Sequence, residues 1–280
     1  RVYFVDFSPE VAGLFMVQND GNTPVSGNAQ RMFGPQAGVY ATSQVHVRDD
    51  SLDVLQRLAA RSDNEAYGWA ADLGTGAGFT AFAMAQFSNR VVATDPTRPM
   101  LEQTRRLGRE RGLENLRLSR NVAESLPFAG DSLDLVTSRV AGHHFSDINR
   151  AFDEVRRVLK TGGVFVMADS VCPEDDEVDR WMNDIELRRD FSHVRNRKIS
   201  EINVMLADRG LKVERQEGAR IFLRFNEWVA RTVVPEPEAT ALRNDFLQAP
   251  GGAREAFQIQ PSNGDIDFSW PCLVFRAVKV

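Results

Sequence analysis

The chain has 280 residues, a length that fits one large domain or one domain with substantial insertions. Apolar residues make up 42% and charged residues 26%, which is typical of globular proteins and excludes disordered, fibrous and coiled-coil proteins. The formal net charge of -5 argues against a nucleic-acid partner, and because no apolar run approaches about 18 residues we expect no membrane span.

In chain order, an N-terminal extension comes first, because residues 1–30 mix short apolar pieces with a turn-rich stretch. The pattern then predicts one domain, 31–280, which opens with a helical stretch up to Tyr40 and a second helix from Ser51. Short apolar strands alternate with amphipathic helices beyond that point, as in a parallel sheet covered on both faces. The predicted strands are 68–73, 90–94, 116–119, 133–138, 163–169, 211–217 and one within 265–280.

The best-defined helix lies between the fourth and fifth strands, with apolar residues of 148–159 on one stripe. Ser146 is its predicted N-cap, and Gly162 lies just past its predicted end. Two stretches interrupt the alternation, 172–197 and 222–264, and we predict that both are largely helical insertions that cap a site.

The two cysteines, Cys172 and Cys272, lie far apart in the sequence. This spacing predicts neither a disulfide framework nor a zinc site, so we expect no metal. A reducing, cytoplasmic location fits the same pattern. For the oligomeric state, a homodimer is kept as an expectation.

The sharpest local feature is a strand that runs into three alternate glycines, Gly74, Gly76 and Gly78, followed by a helix. Such glycines let a ligand lie against the backbone, and the helix start offers free N–H groups. A dinucleotide fingerprint would need glycine where Phe79 stands, and no Gly-Lys-Ser/Thr ending of a triphosphate loop follows. The loop therefore favours a nucleoside without bridging phosphates, and Asp95 at the end of the next strand is placed to bind its ribose hydroxyls.

Six motifs in order carry a family resemblance: DLGTGAG at 72–78, DPTRPML at 95–101, AESLPF at 123–128, DSLDL at 131–135, HHFSD at 143–147 and RVLKTGG at 157–163. Over about residues 31–280 the chain resembles the class I S-adenosylmethionine-dependent methyltransferases. It is similar to the group of ubiquinone/menaquinone-biosynthesis C-methyltransferases and their small bacterial relatives. The resemblance implies an α/β fold with a Rossmann-like, seven-stranded, mostly parallel sheet, helices on both faces and an antiparallel last strand.

The resemblance also implies S-adenosylmethionine as the cofactor, bound by a core of about 51–170. The loop 74–78 would hold the methionine part, Asp95 the ribose, Met100 one face of the adenine, and the backbone of Ala123 and Glu124 its edge. One departure concerns Val122, because many relatives have an aspartate there that touches the adenine amino group. The full predicted cofactor-binding set is Tyr40, Asp72, Gly74, Thr75, Gly76, Gly78, Asp95, Pro96, Met100, Ala123, Glu124, Ser138 and Arg139.

Methyl transfer is an in-line displacement in which the acceptor loses a proton, so the site needs a base. His143 and His144 follow the fourth strand, at the edge where ligands of open parallel sheets bind, and either is a candidate. The alternative is that this pair caps the next helix and packs under it.

The insertion 172–197 offers another candidate base, His193, with Asp190 or Arg195 to orient the acceptor. The alternative for this segment is a solvated charged turn. Trp228, among the aromatic residues of the insertions, is predicted to line a pocket for a flat acceptor, although helix packing explains such residues equally well. Tyr40 and His46 are expected to form a lid, or else to be ordinary core or surface residues.

The sequence therefore predicts a methyltransferase that acts on an oxygen or an activated carbon of a small, aromatic or quinol-like molecule. The alternative is a protein of the same fold that binds the cofactor without methylating, as a ligand-binding subunit or as the catalyst of a rearrangement. A nicotinamide oxidoreductase fits less well, because Phe79 occupies the glycine position that it would need.

Overall fold

The computed structural model describes residues 27–40 and 50–280, which fold around one mixed sheet. The strands are β1 Tyr67–Leu73, β2 Ser88–Thr94, β3 Leu116–Ser119, β4 Leu133–Arg139, β5 Leu159–Cys172, β6 Arg197–Lys198, β7 Leu211–Arg224, β8 Gln260–Ser262 and β9 Asp265–Lys279. Their spatial order is β3-β2-β1-β4-β5-β9-β7, with β6 paired to β5 and β8 paired to β9.

Helices cover both faces of this sheet. They are α1 Gly27–Tyr40, α2 Asp50–Ala59, α3 Phe79–Met84, α4 Arg98–Glu110, α5 Ile148–Val158, α6 Asp176–Arg189, α7 Ile199–Ala207, α8 Phe225–Ala230, α9 Glu236–Leu247 and α10 Gly251–Ala256, with a short 3₁₀ turn at Gly142–His144.

The central strands β3, β2, β1, β4 and β5 pair in parallel, whereas β9 runs antiparallel between β5 and β7. Alternate side chains of each strand point to opposite faces, so Ala70 and Val91 enter one core cluster while Ala71 and Val92 enter the other. The first cluster packs under α2, α3, α6 and the helices of 225–256, and the second packs under α5 and α7. The predicted mostly parallel sheet with an antiparallel last strand is confirmed.

The seven predicted strands are all present, and two short strands, β6 and β8, were not predicted. They have two and three residues, too few for a periodic pattern to show. The second insertion also starts later than expected, because β7 continues to Arg224 before α8 begins, and it holds the three helices α8, α9 and α10.

The ends of α5 differ from the prediction. Its N-cap is Asp147, whose carboxylate accepts the backbone N–H of Arg150 at 3.1 Å. Ser146 lies one residue outside the helix because its hydroxyl instead donates to the Glu124 carboxylate at 2.8 Å. At the other end the helix stops at Val158, and Gly162, with φ of +77°, lies within the β5 segment.

Within residues 27–40 and 50–280, no helix is long and apolar enough to cross a membrane. The same residues contain no group of three or more histidine, cysteine, aspartate or glutamate side chains arranged to hold a metal ion.

Candidate active site

A cavity lies at the carboxyl ends of the parallel strands, where loops after β1, β2, β3 and β4 meet. It is continuous from the glycine loop after β1 to two tryptophans of the C-terminal half. Nine of the predicted cofactor residues line it: Gly74, Thr75, Gly76, Asp95, Pro96, Met100, Ala123, Glu124 and Arg139.

The three alternate glycines have different roles, although all have positive φ. A Cβ on Gly74 would lie 2.6 Å from the Ala141 Cβ, and a Cβ on Gly78 would lie 2.5 Å from the Phe82 ring. A Cβ on Gly76, in contrast, would meet no described atom within 4 Å, although this residue lines the cavity. Gly74 and Gly78 are therefore needed for packing, whereas the space beside Gly76 is open to a ligand.

Asp72 does not line the cavity formed by the described residues. It supports the glycine loop from the side away from the cavity. Its carboxylate accepts hydrogen bonds from the hydroxyls of Thr75 at 2.6 Å and Thr137 at 2.7 Å. Burial raises the pKa of Asp72 to about 6, and the two hydroxyl donors and Arg139 oppose that rise only in part. Asp72 therefore supports the loop and does not line the described cavity, and its predicted role in cofactor binding stays a prediction.

The raised pKa of Asp72 predicts how the free energy of unfolding depends on pH. Between about pH 4 and 6 the folded state holds this proton and the unfolded state releases it, so the contribution of Asp72 to the free energy of unfolding falls as pH rises. The fall amounts to about 3 kcal/mol for a shift of this size. Denaturant unfolding of Asp72→Asn and the unmodified protein across about pH 4 to 7 should therefore show the variant gaining relative stability with pH. If the difference in unfolding free energy between Asp72→Asn and the unmodified protein did not change with pH, the raised pKa of Asp72 would be contradicted.

Asp95 joins the glycine loop to the start of α4. Its carboxylate accepts the backbone N–H groups of Gly76 at 2.9 Å and Thr97 at 2.8 Å. Burial raises the pKa of Asp95, and these two donors oppose that effect. A buried carboxylate beside an open glycine fits vicinal ribose hydroxyls, because it still has lone pairs to accept them.

The loop after β3 closes the far end of the cavity with Asn121, Val122, Ala123 and Glu124. The Glu124 carboxylate accepts the Ser146 hydroxyl and, at 3.2 Å, the backbone N–H of Asp147. It therefore ties this loop to the start of α5. Met100 faces the same end and is buried.

Two further predicted residues come from the end of β4. Arg139 lines the cavity and donates from Nε to the Thr80 hydroxyl at 3.2 Å. Ser138 is buried but is not among the described residues that line the cavity. Its hydroxyl donates to the Leu73 carbonyl at 3.0 Å. Val140 then takes a φ of +52°, a costly conformation for a β-branched residue that turns the chain sharply into the histidine segment.

His143 is the best-oriented titratable group in the cavity. Its Nδ1 lies 2.6 Å from Asp169 Oδ1, and its backbone N–H donates to Asp169 Oδ2 at 2.9 Å. A carboxylate at this nitrogen holds the proton on Nδ1, which leaves Nε2 as a proton acceptor. Burial alone would lower the pKa of His143, but the charge and hydrogen bond of Asp169 outweigh it and raise the pKa.

The other two histidines have different surroundings. His144 lines the cavity, but its Nδ1 faces the Ser192 carbonyl at 3.1 Å, and its ring packs edge-on against Phe33. His193 is buried outside the described cavity wall, with Nε2 3.0 Å from Asn183 Oδ1. Burial and the neighbouring His143 lower the pKa of His144 to about 4 and that of His193 to about 2.

The segment with His193 supports the 3₁₀ turn from behind. Its backbone N–H groups at Val194 and Arg195 both donate to the His143 carbonyl, at 2.8 and 3.2 Å. The Arg195 side chain points to Asp179 and Glu201, with which it forms ion pairs, and it lies outside the described cavity wall. The structure therefore does not bring His193 and Arg195 to the acceptor position that the sequence predicts for them.

The insertions supply the far wall of the cavity. Asp190 and Trp228, both predicted, line it together with the unpredicted residues Glu186, Arg189, Arg231 and Trp270. Arg189 ion-pairs with Glu186 at 3.3 Å, and its guanidinium lies 5.0 Å above the Trp228 ring. This wall combines flat apolar surface with the ion pair of Arg189 and Glu186.

Helix α1 covers the mouth of the cavity through Ala29 and Phe33. It is held on the cofactor side by Arg120, which donates to Gln30 at 3.3 Å, and on the other side by a contact of Arg31 with the Phe191 ring. Tyr40 is the last residue of α1, but its side chain and all of His46 lie outside the described residues. Their predicted lid role stays a prediction.

Comparisons with known proteins agree with this geometry. A family model described as a methyltransferase domain matches residues 71–167. The uncharacterized methyltransferase YcgJ of Bacillus subtilis is 32% identical over 250 residues, which cover 88% of this chain and 97% of that protein. The chain belongs to the class I S-adenosylmethionine-dependent methyltransferases. It is thus a small-molecule methyltransferase with S-adenosylmethionine as the methyl donor, and the non-methylating alternative is set aside.

Further relatives refine the resemblance. The uncharacterized protein YafE of Escherichia coli is 35% identical over 65% of this chain and 88% of its own length. Crystal structures of YcgJ and of a putative methyltransferase from Bacillus halodurans superpose with TM-scores of 0.75 and 0.76, each over 82% of this chain. The ubiquinone/menaquinone biosynthesis C-methyltransferase of Zymomonas mobilis matches only 34% of the chain, so that part of the predicted resemblance is distant.

Proposed function

We propose that this methyltransferase modifies an oxygen or an activated carbon of a small, aromatic or quinol-like acceptor, with His143 as the base. The observation that carries the proposal is the His143–Asp169 pair in the same cavity as the glycine loop. The predicted cofactor residues line one end of this cavity, and residues of the insertions line the other end. His143 lies in the wall between these two groups.

The residues around the loop fit S-adenosylmethionine. Gly76 leaves space for it, Asp95 would accept its ribose hydroxyls, and Met100 would pack against its adenine. When bound, this cofactor supplies a methyl group on a positively charged sulfur. Helix α1, which contributes Ala29 and Phe33 to the cavity wall, would help to exclude water and so favour displacement by the acceptor over hydrolysis.

His143 would take the proton that the acceptor loses as its new bond to carbon forms. Nε2 would accept this proton, and the Asp169 carboxylate beside Nδ1 would stabilise the resulting imidazolium. Neither other histidine offers this arrangement, because His144 and His193 have lowered pKa values and no carboxylate at a ring nitrogen.

The acceptor wall supports a flat substrate. Trp228 and Trp270 are almost fully buried yet line the cavity, and Ile221 and Leu223 extend the apolar surface between them. Aromatic side chains bind planar rings by stacking and edge contacts. Because Arg189 is already paired with Glu186, its charge does not require an anionic acceptor.

Calorimetry with S-adenosylmethionine and S-adenosylhomocysteine tests the cofactor site. We expect both to bind with dissociation constants well below about 1 mM, which corresponds to more than about 4 kcal/mol. Failure of both to bind at millimolar concentration would refute the site.

The acceptor is then found by incubating the protein with methyl-labelled cofactor and separate panels of phenols, quinols, small acids and amines. We expect transfer to members of the phenol or quinol panel. Transfer restricted to aliphatic amines would contradict the proposed acceptor class while leaving the methyltransferase assignment intact. The cytoplasmic location and the homodimer stay predictions.

A further inference from the structure

Asp190 is a buried carboxylate of the acceptor wall that the proposed chemistry does not use. It is the first residue after α6, where its backbone N–H donates to the Glu186 carbonyl at 2.8 Å. Its side chain lines the cavity, although only 1% of the residue is exposed. A carboxylate withdrawn from water in this way needs hydrogen-bond donors, so the partners of its two oxygens indicate what it can bind.

The two carboxylate oxygens of Asp190 differ in their partners. Oδ1 accepts the backbone N–H of Ser192 at 2.8 Å and the Ser192 hydroxyl at 2.6 Å. Oδ2 has no hydrogen-bond partner among residues 27–40 and 50–280, and it is not one of the side-chain atoms that the protein encloses completely. Because Asp190 lines the cavity, the remaining surface of Oδ2 faces the cavity. One oxygen therefore fixes the carboxylate, and the other is open to a ligand.

Within the part of the chain that the structure describes, no cation forms an ion pair with Asp190. The nearby Arg189 guanidinium pairs with Glu186 at 3.3 Å and donates from Nε to the Trp228 carbonyl at 3.3 Å. Burial would raise the pKa of Asp190, but the neighbouring His144 and Arg189 and two hydrogen-bond donors outweigh burial and hold the pKa below its usual range. Asp190 is therefore ionised near neutral pH, and a donor on a ligand would satisfy the charge on Oδ2.

Asp190 also lies close to the proposed base. The Ser192 hydroxyl that donates to Asp190 is 3.2 Å from His144 Nδ1, and the rings of His144 and His143 have their centroids 4.1 Å apart. Little more than one imidazole ring therefore separates Asp190 from His143. A single substituted aromatic ring can bridge that gap.

We propose that the methyl acceptor carries a second hydrogen-bond donor, which binds to Asp190 Oδ2 while the group to be methylated lies at His143. The proposal rests on the proposed acceptor class and on His143 as the base. Both Oδ2 and His143 Nε2 accept hydrogen bonds, so together they select a planar acceptor with two donors over one with a single donor. A site built to pair a donor rejects the analogue that lacks it, because the carboxylate is then left unpaired.

Binding to the complex with S-adenosylhomocysteine tests this pairing without requiring turnover. The probes are catechol, resorcinol and hydroquinone, which cover three separations between the two donors. Each is compared by calorimetry with the methoxyphenol of the same substitution pattern, which has one donor fewer. We expect at least one dihydroxybenzene to bind the unmodified protein about tenfold or more tightly than its methoxyphenol.

Asp190→Asn is the variant that isolates Oδ2. Because the Ser192 donors hold an oxygen at the Oδ1 position, the amide nitrogen takes the place of Oδ2 and presents a donor to the cavity. A methoxy oxygen accepts from this nitrogen, so the preference for the dihydroxybenzene should fall to within about threefold. Asp208→Asn, at an exposed residue outside the described cavity wall, is the matched control and should keep the full preference.

A further probe, 4-hydroxybenzylamine, carries an ammonium group in place of the second hydroxyl. If this probe binds more tightly than hydroquinone and loses at least about tenfold in affinity in Asp190→Asn, the second donor is an ammonium group, which also supports the proposal.

Equal binding of dihydroxybenzenes and methoxyphenols by the unmodified protein, without tighter binding of 4-hydroxybenzylamine, would overturn the proposal and leave the proposed acceptor class intact. A preference that is undiminished in Asp190→Asn would also overturn it. If Asp190→Asn does not fold, Asp190→Ala decides, because a preference kept without either oxygen contradicts the proposal equally. If no phenol bound the unmodified protein at about 10 mM, the proposed acceptor class itself would be refuted together with this inference.

Discussion

Replacing His143 with alanine should slow single-turnover methylation by about a hundredfold to ten-thousandfold, the usual range for loss of a general base. Affinity for S-adenosylhomocysteine should change by less than about threefold, because His143 lies between the cofactor loop and the acceptor wall and is not part of the loop. The rate is measured with saturating cofactor once an acceptor is known, and the affinity by calorimetry.

His193→Ala and His144→Ala are the matched controls for this prediction. His193 contacts Asn183 and supports the turn behind His143, so its loss should appear mainly as a lower melting temperature. A normal rate in His143→Ala together with a slow, stably folded His193→Ala would show that His193, another of the three candidates predicted from the sequence, is the base.

The pH dependence of the same rate tests the role of Asp169. His143 is a base only when its ring is neutral, so activity should fall as pH drops below its raised pKa. Asp169→Asn removes the charge that raises this pKa, so the acid limb of the rate profile should move to lower pH while the maximal rate also falls. If the acid limb of the rate profile stayed at the same pH in Asp169→Asn, the His143–Asp169 pair would not be the group whose titration controls the rate.

Gly76→Val should abolish measurable cofactor binding, because its side chain would occupy the open space beside the loop. The φ of +53° at Gly76 also disfavours any side chain, so a destabilisation of about 1 to 2 kcal/mol is expected in addition. Gly112→Val is the matched control, since Gly112 has a φ of +67° and no described atom within 4 Å of its Cβ, but it does not line the cavity. It should lose similar stability and keep full affinity.

Asp95→Ala tests the same end of the cavity, because Asp95 is the other residue that is proposed to hold the cofactor there. Two charge-assisted hydrogen bonds to ribose would be lost, each about 1.5 to 3 kcal/mol, which corresponds to a loss of affinity of at least about a hundredfold. The loop also loses its bond from the Gly76 N–H, so melting temperatures are measured alongside calorimetry. Unchanged affinity in both Gly76→Val and Asp95→Ala would place the cofactor elsewhere.

Local features of the chain could be predicted from sequence because they depend on neighbouring residues. The glycine loop and Asp95 each follow a strand directly, so strand, turn and carboxylate could all be placed from their order along the chain. The two-residue strand β6 and the Asp147 cap could not, because each depends on contacts with distant residues such as Val171 and Glu124.

The proposed base, His143, is a further case of this limit. His143 looks no different from His144 in the sequence, and Asp169, which orients it, lies 26 residues further on in another strand. Only the parallel pairing of β4 with β5 brings the two together. The same holds for Arg231 and Trp270, which have no motif around them and reach the cavity through the fold of the second insertion.

The most direct test of the account is a crystal structure of the protein with S-adenosylhomocysteine. We expect the ribose hydroxyls on Asp95, the adenine against Met100, and the sulfur on the side of the loop that faces His143. An adenine bound between Trp228 and Trp270, with Asp95 left without ribose contacts, would contradict the account.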